Sequence, residues 1–183
     1  MKKKGLAMVL ALVLLAVCAV SGTLAWLTAK SDVVINTFTT SDIKVELKET
    51  TGTEYKMIPG YTIGKDPKAT VLEGSEECYL FVKLEKSSNF DAFLTYEMAE
   101  GWTLVPSETN VYFRKVLTAD IGTAYSVLAN DQVTVKGEVT KAMMDGLTTE
   151  TLPKLTVTAY ASQLHKNATT EFTAAEAWAN VTP

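Results

Sequence analysis

The residue types that carry catalysis or bind metals are few in this 183-residue chain. Its one histidine, His165, stands between Leu164 and Lys166, just past a predicted strand, and its cysteines are Cys18 and Cys78. A zinc site draws on several His and Cys ligands, and a single histidine cannot supply an H-E-x-x-H helix. Composition alone leaves a Ser-His-Asp set open, but no serine occupies a G-x-S-x-G elbow. His165 is therefore expected as a solvated loop residue. Gly60-x-x-x-Gly64-Lys65 lacks the full spacing and the Ser/Thr of a phosphate loop. Asp66, Glu73, Glu76, Asp120 and Asp131 could gather around a hard cation. No EF-hand or repeat organises them, so they are read as residues that keep the surface soluble. The sequence thus predicts no catalytic residue, no cofactor and no metal ligand. The protein is not expected to be an enzyme.

The clearest chemical signal is instead that of a peptidase substrate. Lys2, Lys3 and Lys4 form a basic start, and residues 6–20 carry no charge. As a helix that run would rise about 22 Å, short of the roughly 30 Å hydrocarbon core. Ser21-Gly22-Thr23 breaks it, and Thr23 and Ala25 place small residues at −3 and −1 of a cut between Ala25 and Trp26. This order of basic, apolar and small-residue regions defines a secretory leader. Residues 1–25 are accordingly read as a signal peptide. An uncleaved anchor is the alternative, since the apolar run extended to Leu27 could span a bilayer. Against it stand the early polar break and the lack of a basic stop-transfer cluster. Membrane contact is expected only through the uncleaved leader. Lipidation at Cys18 would need a small residue before it, and Val17 is there.

Removal of the leader takes three lysines, leaving fourteen basic against twenty-one acidic residues, a net charge of about −7. Such a chain is a poor polyanion binder, and no Lys/Arg stripe offsets this, so no nucleic-acid partner is expected. Cys78 would then be the only cysteine, unable to form an internal disulfide and expected as a small packed residue. A sortase anchor is not matched, because Leu152-Pro153-Lys154-Leu155-Thr156 lacks the glycine and no apolar tail follows.

Whatever these residues do, strands must position them. Ile43, Val45 and Leu47 alternate with Lys44, Glu46 and Lys48, and Leu80, Val82 and Leu84 with Phe81, Lys83 and Glu85. That period of two buries one face and wets the other. Further strands are predicted over 111–116, 132–135 and 154–162, and weaker ones over 68–72, 93–98 and 103–105. Pro59-Gly60, Asp66-Pro67, Glu73-Gly74-Ser75, Glu100-Gly101 and Asn130-Asp131 supply turns between them. Two short helices are expected, over 139–146 and after Thr173. Thr173 and Glu176 have capping-box spacing, Phe172 and Ala177 that of a hydrophobic staple. Trp178 is placed as a plug at one end of the core. The predicted architecture is all-β: an antiparallel β-sandwich with one or two short helices, in one domain over 38–183, preceded by an extended arm over 26–37.

The junction Ser21-Gly22-Thr23-Leu24-Ala25-Trp26, followed by Asn36-Thr37-Phe38-Thr39-Thr40-Ser41-Asp42-Ile43, resembles that of the TasA/camelysin family. Pro59-Gly60, Lys65-Asp66-Pro67 and Cys78-Tyr79-Leu80-Phe81-Val82-Lys83 are similar to that family's loop and following strand. Thr158-Ala159-Tyr160-Ala161-Ser162-Gln163 and Ala174-Ala175-Glu176-Ala177-Trp178 look like its ending in exported relatives from Gram-positive bacteria. Ser41 replaces the common glycine and Leu27 the common second aromatic. The resemblance implies a jelly-roll-like sandwich, a SipW-type signal peptidase as export partner, and a place in the extracellular matrix or on the cell surface. It also implies fibre formation for TasA-like members and a surface metalloprotease for camelysin-like ones. No His/Glu constellation stands here to receive the second role.

The expected function is that of a secreted structural or matrix protein, fibre-forming by N-terminal strand donation to a second copy or a related matrix subunit. The apolar content of the arm, Val33, Val34 and Ile35, together with Phe38, would complete the sheet edge of the next subunit. The arm could equally pack on its own domain, since sequence does not assign a strand's partner. The alternative function is an exported surface binding or adhesin module, for which Tyr61, Trp102 and Tyr125 are candidate contact residues.

Overall fold

The structure, a computed structural model, describes residues 42–52 and 54–181. Their strands are β1 (Val45–Lys48), β2 (Thr62–Gly64), β3 (Lys68–Val71), β4 (Cys78–Lys86), β5 (Leu94–Thr95), β6 (Thr103–Leu104), β7 (Val111–Val116), β8 (Ala124–Ser126), β9 (Gln132–Val135), β10 (Leu155–Gln163), β11 (His165–Asn167) and β12 (Thr170–Glu171). Three short helices accompany them: α1 (Phe90–Phe93), α2 (Lys141–Asp145) and α3 (Ala174–Ala179). Every named strand pair is antiparallel.

One sheet has the order β10-β4-β7-β6. Two three-stranded sheets, β1-β3-β8 and β2-β9-β5, run on into each other. The Lys65 N–H donates to the Asp131 carbonyl at 2.8 Å and the Val127 N–H to the Pro67 carbonyl at 2.9 Å, linking the two. The predicted Pro59-Gly60 turn closes with Tyr61 N–H on the Ile58 carbonyl at 3.0 Å. Gly60 takes φ +79°, which a side chain would oppose.

Leu80, Val82 and Leu84 of β4 form the main core with Ala69 and Val71 of β3 and Val133 and Val135 of β9. Each of these valines and leucines contributes about 1.5–3 kcal/mol when fully buried. This is the arrangement the alternating pattern predicts, with one correction. The other face of β4 was expected to be wet, yet Tyr79 and Phe81 are also buried. They belong to a second cluster with Val111, Leu164, Ala177 and Trp178, which α3 holds against the outer face of the sheet. Trp178 packs 5.3 Å from the Phe81 ring and edge-on, 5.2 Å, to Tyr160.

The capping box of α3 is formed. Thr173 Oγ1 accepts from the Glu176 N–H at 3.3 Å, and Glu176 Oε2 accepts from the Thr173 N–H at 2.8 Å. In the 139–146 stretch the helix is α2, with Thr140 as its N-cap, while Val139 is buried in the main core. Strands 111–116 and 132–135 have the predicted bounds, and the strand expected over 154–162 is β10. The sequence pattern does not mark β2, β8, the β11-β12 hairpin or α1. These are elements of two to four residues whose pairing or burial comes from distant chain.

Candidate assembly site

β10 ends its sheet, so only β4 pairs with it among the described residues. Its register sets Leu155, Val157, Ala159 and Ala161 opposite Lys86, Leu84, Val82 and Leu80. The Ser87 N–H donates to the Lys154 carbonyl at 3.0 Å and the Leu164 N–H to the Glu77 carbonyl at 3.2 Å. Even-numbered residues of β10 are therefore the hydrogen-bonded partners of β4. By the alternation of antiparallel ladders, the odd-numbered residues turn N–H and C=O to the open edge. The same odd residues send their side chains into the main core, against which Leu155, Val157, Ala159 and Ala161 pack.

β10 is thus a nine-residue edge strand, Leu-Thr-Val-Thr-Ala-Tyr-Ala-Ser-Gln, with no charge, no proline and no glycine along it. Exposed edges in proteins that stay apart are usually blunted by lysine, proline or a bulge. This one carries none of these.

β1 ends the neighbouring sheet in the same way, and the two strands approach each other. The Leu72 N–H donates to the Lys44 carbonyl at 2.9 Å, so Val45 and Leu47 likewise turn their backbone groups outward. β1 is only four residues long and pairs with β3 and not with β2, whose one partner among the described residues is β9. There, at the start of β10, a cleft of about 680 Å³ opens. Ile63, Phe90, Leu94, Val133 and Leu155 supply its apolar lining, and Glu54, Tyr55, Lys65 and Lys154 its polar side chains.

A braced loop forms one wall of this cleft. Both carboxylate oxygens of Glu49 accept from Lys65 Nζ at 2.9 Å, and Glu49 Oε1 also accepts from the Tyr55 hydroxyl at 2.7 Å. Burial pushes the Tyr55 phenol above its ordinary range. Asp66 accepts from the Thr50 hydroxyl at 2.6 Å and from the N–H groups of Thr50 and Thr51 at 2.9 and 3.0 Å. These bonds, the Thr50 hydroxyl first, hold its carboxyl far below the usual range.

Ala25, Trp26, Val33, Val34, Ile35 and Phe38 lie outside the described residues. His165 is exposed and opens β11 rather than a loop, with Nε2 3.3 Å from Glu77 Oε2. Glu77 also accepts from the Thr118 N–H and hydroxyl, which, with His165, lower its pKa. Cys78 is fully buried, and desolvation pushes its thiol up to about 11. Among the described residues no three His, Cys, Asp or Glu side chains converge as metal ligands, and no helix is long and apolar enough to cross a membrane. Tyr61 is 65% exposed, whereas Trp102 is buried and stands with Tyr125 around Arg114. Alternation marks β10 as a strand but carries no signal that it ends a sheet. Its uncharged composition is visible in the sequence; its place at the end of a sheet is not.

No protein-family model, no curated protein and no solved structure matches this chain.

Proposed function

We propose that the mature protein is a secreted structural protein that assembles head to tail, the arm 26–37 of one copy adding as a strand to the edge of β10 that no described strand but β4 pairs with, in the next copy. The observation that carries this reading is the uncharged, unblunted edge of β10, with main-chain donors and acceptors facing outward from Leu155, Val157, Ala159 and Ala161. Main-chain bonds give such an addition its affinity, and alternate side chains give it register. Val33, Val34 and Ile35 are β-branched and suit an added strand. With Phe38 they supply apolar side chains for the adjoining cleft. The contact joins unlike surfaces of two copies, so it propagates as a filament rather than closing as a dimer.

In this reading residues 1–25 are a leader removed by a SipW-type peptidase, and cleavage between Ala25 and Trp26 frees the arm outside a Gram-positive-type cell. The two sheets are then a jelly-roll-like sandwich of the TasA/camelysin kind, serving the matrix or the cell surface. The 680 Å³ cleft supports a second reading, an exported binding module, because its size and mixed lining suit a small ligand.

Electron microscopy of the secreted protein separates the two. Strand donation requires filaments from cells with the processing peptidase and none from cells without it. Deletion of residues 26–35 must also abolish them. Unchanged polymerisation by the truncated protein overturns the proposal.

A further inference from the structure

Arg114 is the only arginine in the chain. It lies on β7 opposite Leu80, on the face of the sheet turned to the main core. Its guanidinium carbon is 3.7 Å from the centroid of the Tyr125 ring and 5.3 Å from that of Trp102. Trp102 is itself fixed, its indole N–H donating to the Ser126 carbonyl at 2.8 Å. Gly101 makes room for the group: it takes φ +87°, and a Cβ there would collide with Nη2 of Arg114. Three elements therefore hold one guanidinium against two rings.

What the guanidinium does not do is equally specific. Among the described residues, ion pairs are made by lysines and by His165, and none by Arg114. Partial burial lowers the guanidinium's pKa, opposed by Tyr125 and Asp120, and Asp120 makes no ion pair with it among the described residues. Among the described residues the one buried side-chain polar atom without a partner is Asp131 Oδ1, so the guanidinium nitrogens, which bond no described residue, are not fully buried. A planar fork of N–H donors, immobilised by stacking and unspent, stands in a chain with twenty-one acidic residues. Arginine differs from lysine in this respect: its rigid fork matches the two oxygens of a carboxylate, and stacking prepays the ordering of its side chain.

We propose that Arg114, held by Trp102 and Tyr125, is the anchor of a carboxylate-binding site, donating two parallel N–H bonds to the ligand while the rings flank it. The carboxylate belongs either to a small organic acid or to an Asp or Glu side chain of a second copy. The recognition chemistry is the same for both.

The uniqueness of Arg114 makes the test direct, because its Nε–H gives the only arginine signal in a ¹H–¹⁵N spectrum. Sodium acetate is titrated into dilute mature protein, with sodium chloride at matched ionic strength as the control. The expected result is that the Arg114 Nε–H and Trp102 indole signals move together along one saturable curve, with half-saturation on the order of ten millimolar, the range of two parallel charge-assisted bonds. Arg114→Lys is expected to flatten the indole response to acetate at least about tenfold, since a lysine keeps the charge but not the fork. If the same two signals also shift as the protein is concentrated without acetate, the carboxylate comes from a second copy. If they do not, it is a free acid. An acetate response no larger than that of chloride overturns the proposal, and this comparison needs no variant.

Discussion

Val157 of β10 stands opposite Leu84 of β4, with its side chain in the main core and its N–H and C=O directed away from β4. One residue is therefore committed to the fold through its side chain and available to a second strand through its backbone. Val157→Pro separates the two roles. Proline removes the N–H that faces the open edge and leaves the β4 ladder intact. The variant is expected to keep the native circular dichroism spectrum and to lose filament formation in electron microscopy. Thr158→Pro would remove a ladder bond to β4, and is expected to lower the unfolding midpoint instead. Filaments of normal length from Val157→Pro would show that the β10 edge is not the acceptor.

The reciprocal bonds between Thr173 and Glu176 fix the start of α3 and, with it, the cover over Tyr79 and Phe81. Thr173→Ala is expected to destabilise the protein by about 1 kcal/mol in urea unfolding, the usual cost of losing an N-cap. The box also predicts a pH dependence. Lys166 Nζ, 2.6 Å away, and then the Thr173 N–H and hydroxyl lower the Glu176 carboxyl from its ordinary 4.5 to about 2. A carboxyl whose pKa is lower in the folded state stabilises the fold above its unfolded value. That contribution fades as pH falls from 4.5 toward 2. The stability loss across this window is expected to be smaller in Glu176→Gln than in wild type, measured as urea midpoints at pH 5 and pH 3.

Much of this was legible in the residues themselves. Alternation in 43–48 and 80–85 marks strands because the side-chain period of a strand is two, and the Thr173–Glu176 spacing marks a helix start because both bonds are local. The burial of Phe81 was not legible. Read within its own strand, Phe81 shares a face with Lys83 and Glu85, and only packing of Trp178, from the far end of the chain, makes its half of that face dry. The same limit hid β2, β8 and β12, each two or three residues long and defined by partners elsewhere. Trp102 and Tyr125 were visible as aromatic candidates near loops. That they converge on Arg114 depends on β7 placing it beside them, and the one sequence signal was that no other arginine exists.

Cys78 is expected to be chemically silent in the native state. A thiolate is the reactive form, and burial holds this thiol near 11. Reaction with a thiol-specific disulfide reagent at pH 8 should track global unfolding, slow in buffer and immediate in denaturant. Cys78→Ala should be tolerated. Cys78→Ser places a hydroxyl in a fully buried position, opposite Gln163 and Val116 on the neighbouring strands, and is expected to cost about 1–3 kcal/mol. Rapid labelling of folded protein would contradict the packed position.

Trp178 tests whether the second cluster is part of the domain's cooperative unit. Its ring contacts Phe81 and Tyr160, and its indole N–H donates to Glu108 Oε1 at 3.1 Å, tying α3 to the β6-β7 connection. Trp178→Ala removes all three, and truncation of a buried tryptophan costs about 3–5 kcal/mol. Because Phe81 and Leu80 are neighbours on β4 facing opposite clusters, exposing one side of the strand should weaken the other. A single unfolding transition, shifted to lower urea by that amount, is expected when followed by circular dichroism and by tyrosine fluorescence. Two separated transitions would mean that the main core stands without its outer cover.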